Sequence, residues 1–134
     1  GYSFKELDIL LSYSLDDNIQ VFEFLDLIQI VFRKLGFELD QIEHNLSVFM
    51  VYLCDRIISD IDQLDGVVKI FKKLDQIDVM QFYDVSNWRR LNIDLYNIYT
   101  FEETAYFKVL SLNNYQEFAV NFAMEFKGEL QNKR

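Results

Sequence analysis

The stretch "ELDQIEHNLSVFMVYLCDRIISDIDQL", Glu38 to Leu64, decides the fold. Leu39, Ile42, Leu46, Phe49, Leu53, Ile57, Ile61 and Leu64 recur at spacings of three and four, which sets them on one stripe of a 3.6-residue helix. The spacing predicts one long helix over this stretch, with that stripe against a core. Opposite it, Val48, Val51, Asp55, Ile58 and Asp62 also recur at three and four, mixing apolar with acidic side chains. A surface helix normally makes its outer face polar throughout. Val51, Asp55, Ile58 and Asp62 are therefore the candidate protein-binding residues. Two plainer readings compete: a second layer of helices covers the stripe, or isolated exposed Val and Ile carry no meaning.

Outward from this segment the same periodicity continues. A helix is expected from Ser3 to about Tyr13, with Phe4, Leu7, Leu10 and Leu11 on one face. A second runs from Asp17 or Asn18 to Gly36, apolar around most of its circumference and so expected to be central, with Arg33 and Lys34 in its last turn where cations suit the helix dipole. After the long helix, Gly66 reads as a stop and Asp65 as the cap of a short helix, Val67 to Leu74. Asp60 is placed to pair with Arg56, four residues earlier.

The C-terminal half is open to two periods. "SNWRRLNIDLYNIYTF", Ser86 to Phe101, fits a helix through Trp88, Leu91, Leu95 and Ile98, and also a strand through Leu91, Ile93, Leu95 and Tyr99. "TFEETAYFKVLSL" begins with a capping box, Thr100 and Glu103, while Tyr106 to Leu112 also suits a strand. The final helix is expected to begin at Asn114 and stop at Gly128, with Phe118-Ala119, Phe122-Ala123 and Phe126 repeating every four residues. Residues 89–112 are thus left between helix and strand.

Turn chemistry weighs toward helices. The 134 residues include four glycines and no proline, and none of either between Val67 and Lys127. Tight hairpins need φ > 0 positions that this stretch hardly supplies. The expected fold is all-α, a single compact bundle of six to eight helices forming one domain over residues 1–134; the alternative is α+β, with a small C-terminal antiparallel sheet. A chain of this length buries roughly two-thirds of the surface it exposes when unfolded. With thirteen Phe and eight Tyr it has ample apolar material.

Charge narrows the partner. Net charge is −9, and residues 1–66 hold thirteen acids against four bases, whereas the rest is balanced at nine each. Such a field attracts basic surfaces and repels phosphate and anionic lipid. A basic protein partner is expected, with no direct nucleic-acid or membrane contact and homo-oligomerisation left open. Lys69, Lys72 and Lys73 form a basic face, and "IDVMQFYDVSNWRRL", Ile77 to Leu91, outlines a helix-turn-helix carrying Arg89 and Arg90; its turn lacks glycine, and the charge opposes DNA.

No constellation of catalytic or metal-binding residues stands out. "SDIDQLDG", Ser59 to Gly66, fails the EF-hand pattern, because Leu64, Asp65 and Phe71 fall where a ligand, a glycine and a bidentate Glu are needed. His44 and Cys54 lie ten residues, about 15 Å, apart on one helix, too far for a nucleophile and its base. No metal, cofactor or catalytic residue is expected. A single cysteine favours a reducing compartment. With no basic, apolar leader, and with Lys5 where a myristoylation signal needs Ser or Thr, the chain is expected to be cytoplasmic.

The expected function is a non-enzymatic inhibitor or neutraliser of a basic macromolecule, of the immunity-protein or antitoxin type, acting through an acidic helical surface. The alternative is a helical adaptor or oligomeric interaction protein gripping a partner helix, with an enzyme or small-ligand domain third.

Overall fold

A computed structural model describes residues 42–76 and 83–132, together with Glu23, Asp26, Gln29, Ile30 and Arg33. Four α-helices are bounded over residues 42–132: α1 (Ile42–Ser59), α2 (Leu64–Gln76), α3 (Ser86–Phe101) and α4 (Tyr115–Asn132), with a 3-10 turn, Ile61–Gln63, between the first two. The described residues are all-α and contain no strand. A C-terminal sheet is therefore excluded over 86–132. The expected count of six to eight includes Ser3–Tyr13, which lies outside the described residues. Of the expected helix ending at Gly36, only Glu23, Asp26, Gln29, Ile30 and Arg33 are described, and all five are helical.

The long helix predicted over Glu38–Leu64 breaks at Asp60. Ser59 ends α1 by turning its hydroxyl back to donate to the Asp55 carbonyl at 2.7 Å. Asp60 then takes an extended conformation, φ −152° and ψ 102°, and its carboxylate accepts the Asp62 N–H at 3.1 Å. Side-chain oxygens that compete for backbone N–H groups end helices in this way. The carboxylate also lies 3.4 Å from the Gln63 side-chain amide, so Asp60 caps the turn where a pair with Arg56 was expected. Gly66 lies inside α2 and is not a stop. Asp65, expected as a cap, sits in the first turn of α2 and pairs with Lys69 at 3.3 Å.

Helix α1 is central. Leu46, Phe49, Leu53 and Ile57 of the predicted stripe are buried, but so are Ser47, Val48, Met50, Tyr52 and Cys54. Eight of nine residues from Leu46 to Cys54 are buried, with Val51 half-buried, so the helix is enclosed nearly all round. One side of α1 packs on α4, while α2 packs chiefly on α3.

A cluster of rings joins the two pairs. Trp88 of α3 stacks on Phe71 of α2 with centroids 4.0 Å apart and planes 5° from parallel. From α4, Phe122 meets the indole edge-on at 4.7 Å, and Phe126 meets both Trp88 and Phe71 at 5.6 Å. Offset and edge-to-face pairs of this kind contribute about 0.5–1.5 kcal/mol beyond their buried area. The period of four in α4 explains the geometry. Ala119 and Ala123 are fully buried, letting the backbone approach α1, while Phe118, Phe122 and Phe126 reach across to α2, α3 and the loop before α4. The helix continues past Gly128 to Asn132, since nothing there requires a left-handed residue.

The start of α3 and the segment after it also differ from expectation. Ser86 does not cap α3 but begins it, buried, with its N–H and hydroxyl both donating to Asp84 Oδ1. The Thr100–Glu103 capping box starts no helix. Instead Glu102 takes a left-handed conformation, φ 60°, at the end of α3, and a loop follows to Asn114. Asn114 precedes α4 as expected, yet its side chain points back: it accepts the Ser111 N–H at 2.7 Å and donates to the Val109 carbonyl at 2.6 Å.

Candidate protein-binding cleft

Helix α3 is amphipathic in an unusual way. Trp88, Leu91, Asp94 and Ile98 are buried on one side. Asn92, Tyr96 and Tyr99 follow at i, i+4 and i+7 along another face, and the two tyrosines are 65% and 79% exposed. That face walls a cleft of about 850 Å³. The opposite wall is the 3-10 turn and the start of α2, with Ile61, Asp62, Leu64, Asp65 and Lys69; Tyr115 and Gln116 at the start of α4 close one end. Ile93 on one flank of that face and Leu95 and Ile98 on the other add apolar lining.

Asp94 fixes the α3 wall. Its side chain is fully buried, and its two carboxylate oxygens accept backbone N–H groups from three successive residues: Ala105 at 2.7 Å, Tyr106 at 3.0 and 3.3 Å, and Phe107 at 2.7 Å. A buried carboxylate is tolerable only with such partners. The clamp folds the loop back on α3 and sets Phe107 against Phe118 at 5.4 Å and Phe122 at 5.9 Å. The end of α3 that carries Tyr96 and Tyr99 is thereby held to α4. Tyr96 also meets Phe101 edge-on at 6.4 Å.

The charges of the cleft are few. Lys69 and Asp65 pair across one turn of α2 with the Lys69 side chain about half exposed and that of Asp65 mostly in solvent, so the pair adds little stability. Asp62 is exposed, and its carboxylate makes no ion pair among the described residues. Three tyrosines, several apolar side chains and a carboxylate with no ion pair among the described residues therefore share one concavity.

No family model, curated protein or solved structure matches this chain.

The four residues singled out from the sequence are not brought into one face. Val51 and Ile58 are half-buried against the core. Asp55 is half-exposed and bonds Lys127 of α4 at 2.6 Å, so this part of the stripe meets another helix. The break at Asp60 turns Asp62 away, and it alone of the four lines the cleft. Of the helix-turn-helix outline, residues 77–82 lie outside the described residues. Arg89 pairs with Asp75 at 3.2 Å, while Arg90 bonds Asn87 at 2.8 Å and lies 5.8 Å from the Tyr106 ring centroid. Both guanidinium groups have intramolecular partners.

His44 and Cys54 share α1, the first exposed and the second fully buried. Burial pushes the Cys54 thiol far above its usual range, the neighbouring Asp55 charge adds to the effect, and Lys127 opposes it. The thiol stays protonated and is no nucleophile. Among the described residues no group of three or more His, Cys, Asp or Glu side chains is arranged to hold a metal ion. Among those residues, too, no helix is long and apolar enough to cross a membrane.

Sequence reasoning missed Tyr96, Tyr99 and Asp94. A signal for each was present. The helical option for Ser86–Phe101 leaves Tyr96 off the stripe of Trp88, Leu91, Leu95 and Ile98, sets Tyr99 at its edge, and places Asp94 three residues after Leu91 and four before Ile98.

Proposed function

We propose that this protein is a non-enzymatic binding module that captures and neutralises a basic protein partner, in the manner of an immunity protein, antitoxin or inhibitor, and that the tyrosine-walled cleft is its binding site. The observation that carries this reading is the cleft itself: about 850 Å³, lined by the exposed Tyr96 and Tyr99, by apolar Ile93, Leu95 and Ile98, and by Asp62 and Asp65. Tyrosine supplies large contact area at small entropic loss and is enriched where interfaces concentrate their energy. The charge of −9 supplies long-range attraction to a basic surface. A cytoplasmic, reducing setting accords with the lone, buried Cys54.

An adaptor that grips a partner helix by apolar contacts is the second reading. It draws on Tyr106, Val109 and Leu112, which stand 49%, 72% and 43% exposed on the loop after α3.

The two readings separate by salt and by site. Immobilised full chain is compared with its Tyr96→Ser/Tyr99→Ser variant for proteins retained from the source cell at roughly 50 mM and roughly 500 mM salt. The inhibitor reading expects a basic protein held by the wild type at low salt, released at high salt and not held by the variant. Retention that ignores both salt and the two tyrosines would overturn it.

A further inference from the structure

We infer that the cleft is an arginine-recognition site, taking a guanidinium side chain from the partner polypeptide between the tyrosine wall and the Asp62 carboxylate. The inference rests on the protein-binding reading above and specifies the chemistry of what is bound. Three observations converge. Tyr96 and Tyr99 stand about one turn apart on α3, 65% and 79% exposed, and both line the cleft, with the Tyr96 ring also meeting Phe101 edge-on at 6.4 Å. Asp62, on the facing wall, carries a negative charge that no described cation neutralises, whereas Asp65 is paired with Lys69 and Asp55 with Lys127. The chain already shows the same contact elsewhere, with the Arg90 guanidinium 5.8 Å from the Tyr106 ring centroid.

Arginine fits these features better than other side chains. Its planar cation stacks on aromatic faces and, being weakly hydrated, loses less than an ammonium when it leaves water. Its donors also match a carboxylate. At about 850 Å³ the cleft is larger than one side chain needs, leaving room for apolar neighbours of the arginine against Ile93, Leu95 or Ile98. Lysine would be a weaker occupant, since a compact ammonium cannot stack. An anionic ligand is disfavoured by Asp62 and by the overall charge.

The test uses the full chain and a fluorescein-labelled pentapeptide amide with one arginine flanked by leucines, beside its citrulline counterpart, which has the same shape without the charge. The arginine peptide should bind roughly tenfold or more tightly than the citrulline peptide. Asp62→Asn, a change at an exposed position, should erase most of that difference, and Tyr96→Ser/Tyr99→Ser should abolish binding of both. Amide chemical shifts should move at the turn, the start of α2 and the second half of α3. Equal affinity for the two peptides at this site would overturn arginine recognition while leaving the protein-binding cleft standing. Shifts confined to other surfaces would overturn both.

Discussion

Replacing Asp94 by asparagine tests the clamp on which the cleft depends. The carboxylate is fully buried and receives N–H groups from Ala105, Tyr106 and Phe107 at distances from 2.7 to 3.3 Å. Asparagine keeps the shape but offers one acceptor oxygen, and its NH2 group places a donor against donors. A hydrogen bond to a charged acceptor contributes about 1.5–3 kcal/mol, and a buried donor left without a partner costs about 1–3 kcal/mol. If the oxygen still serves Ala105 and Tyr106, the Phe107 N–H is the one stranded. Because Ala105 and Tyr106 are exposed, the loop has room to relax toward water, which limits the loss. The expected destabilisation is about 2–3 kcal/mol. Urea unfolding followed by the fluorescence of Trp88, the sole tryptophan, reads this directly from the core. Hydrogen exchange at amides 105–107 should speed up in step. A change within about 0.5 kcal/mol, the range of ordinary surface substitutions, with amides 105–107 still protected, would refute the clamp.

Further outcomes follow from the same contacts. Cys54 should resist a thiol reagent at mildly alkaline pH in the folded chain and react at once in denaturant; since its folded pKa lies above the unfolded one, its contribution to stability is complete below the unfolded pKa and falls as pH rises past roughly 8.5. Gly128→Ala should stabilise α4 by about 0.5–1 kcal/mol in thermal unfolding, because an added Cβ meets nothing within 4 Å and the residue lies inside a helix. Asp60→Ala should lose about 1 kcal/mol by removing the cap of the 3-10 turn, with chemical-shift changes centred on Asp62 and Gln63. Trp88→Ala should be severe, about 3–5 kcal/mol, since the indole touches Phe71, Phe122 and Phe126 together; near-UV circular dichroism would register the loss of that cluster.

Helical class was legible in the sequence because it depends on local period and on the scarcity of glycine and proline. Period alone did not show how much of each helix is buried. Around α1, Ser47, Met50 and Cys54 are as buried as Phe49, a consequence of packing on more than one side that one-stripe reasoning misses. The break at Asp60 was concealed because Ile57, Ile61 and Leu64 keep a helical spacing across it. What ends the helix is Ser59 and Asp60 bonding the backbone, a competition between side chain and main chain that spacing does not record. Through that break, Asp62 separates from Val51, Asp55 and Ile58 and joins residues some thirty positions later in the chain. Of the stretch "SDIDQLDG", Asp60 proves to be a cap, Asp65 a partner of Lys69, and Asp62 a lining residue of the cleft with no ion pair among the described residues. The ambiguity over Ser86–Phe101 resolved as helix for a tertiary reason, whereas Tyr106–Leu112 is a loop, neither helix nor strand. Trp88, Leu91 and Ile98 each find a buried place only at the helical period, with Asp94 between them satisfied by the loop.

The most direct test of the cleft as the binding site is hydrogen exchange of the full chain, free and together with the proposed basic protein partner. Slower exchange across residues 61–69 and 92–100, with little change at 51–58, is the expected result. Protection centred on Val51, Asp55 and Ile58, with Tyr96 and Tyr99 exchanging as in the free chain, would contradict it and return the binding surface to α1.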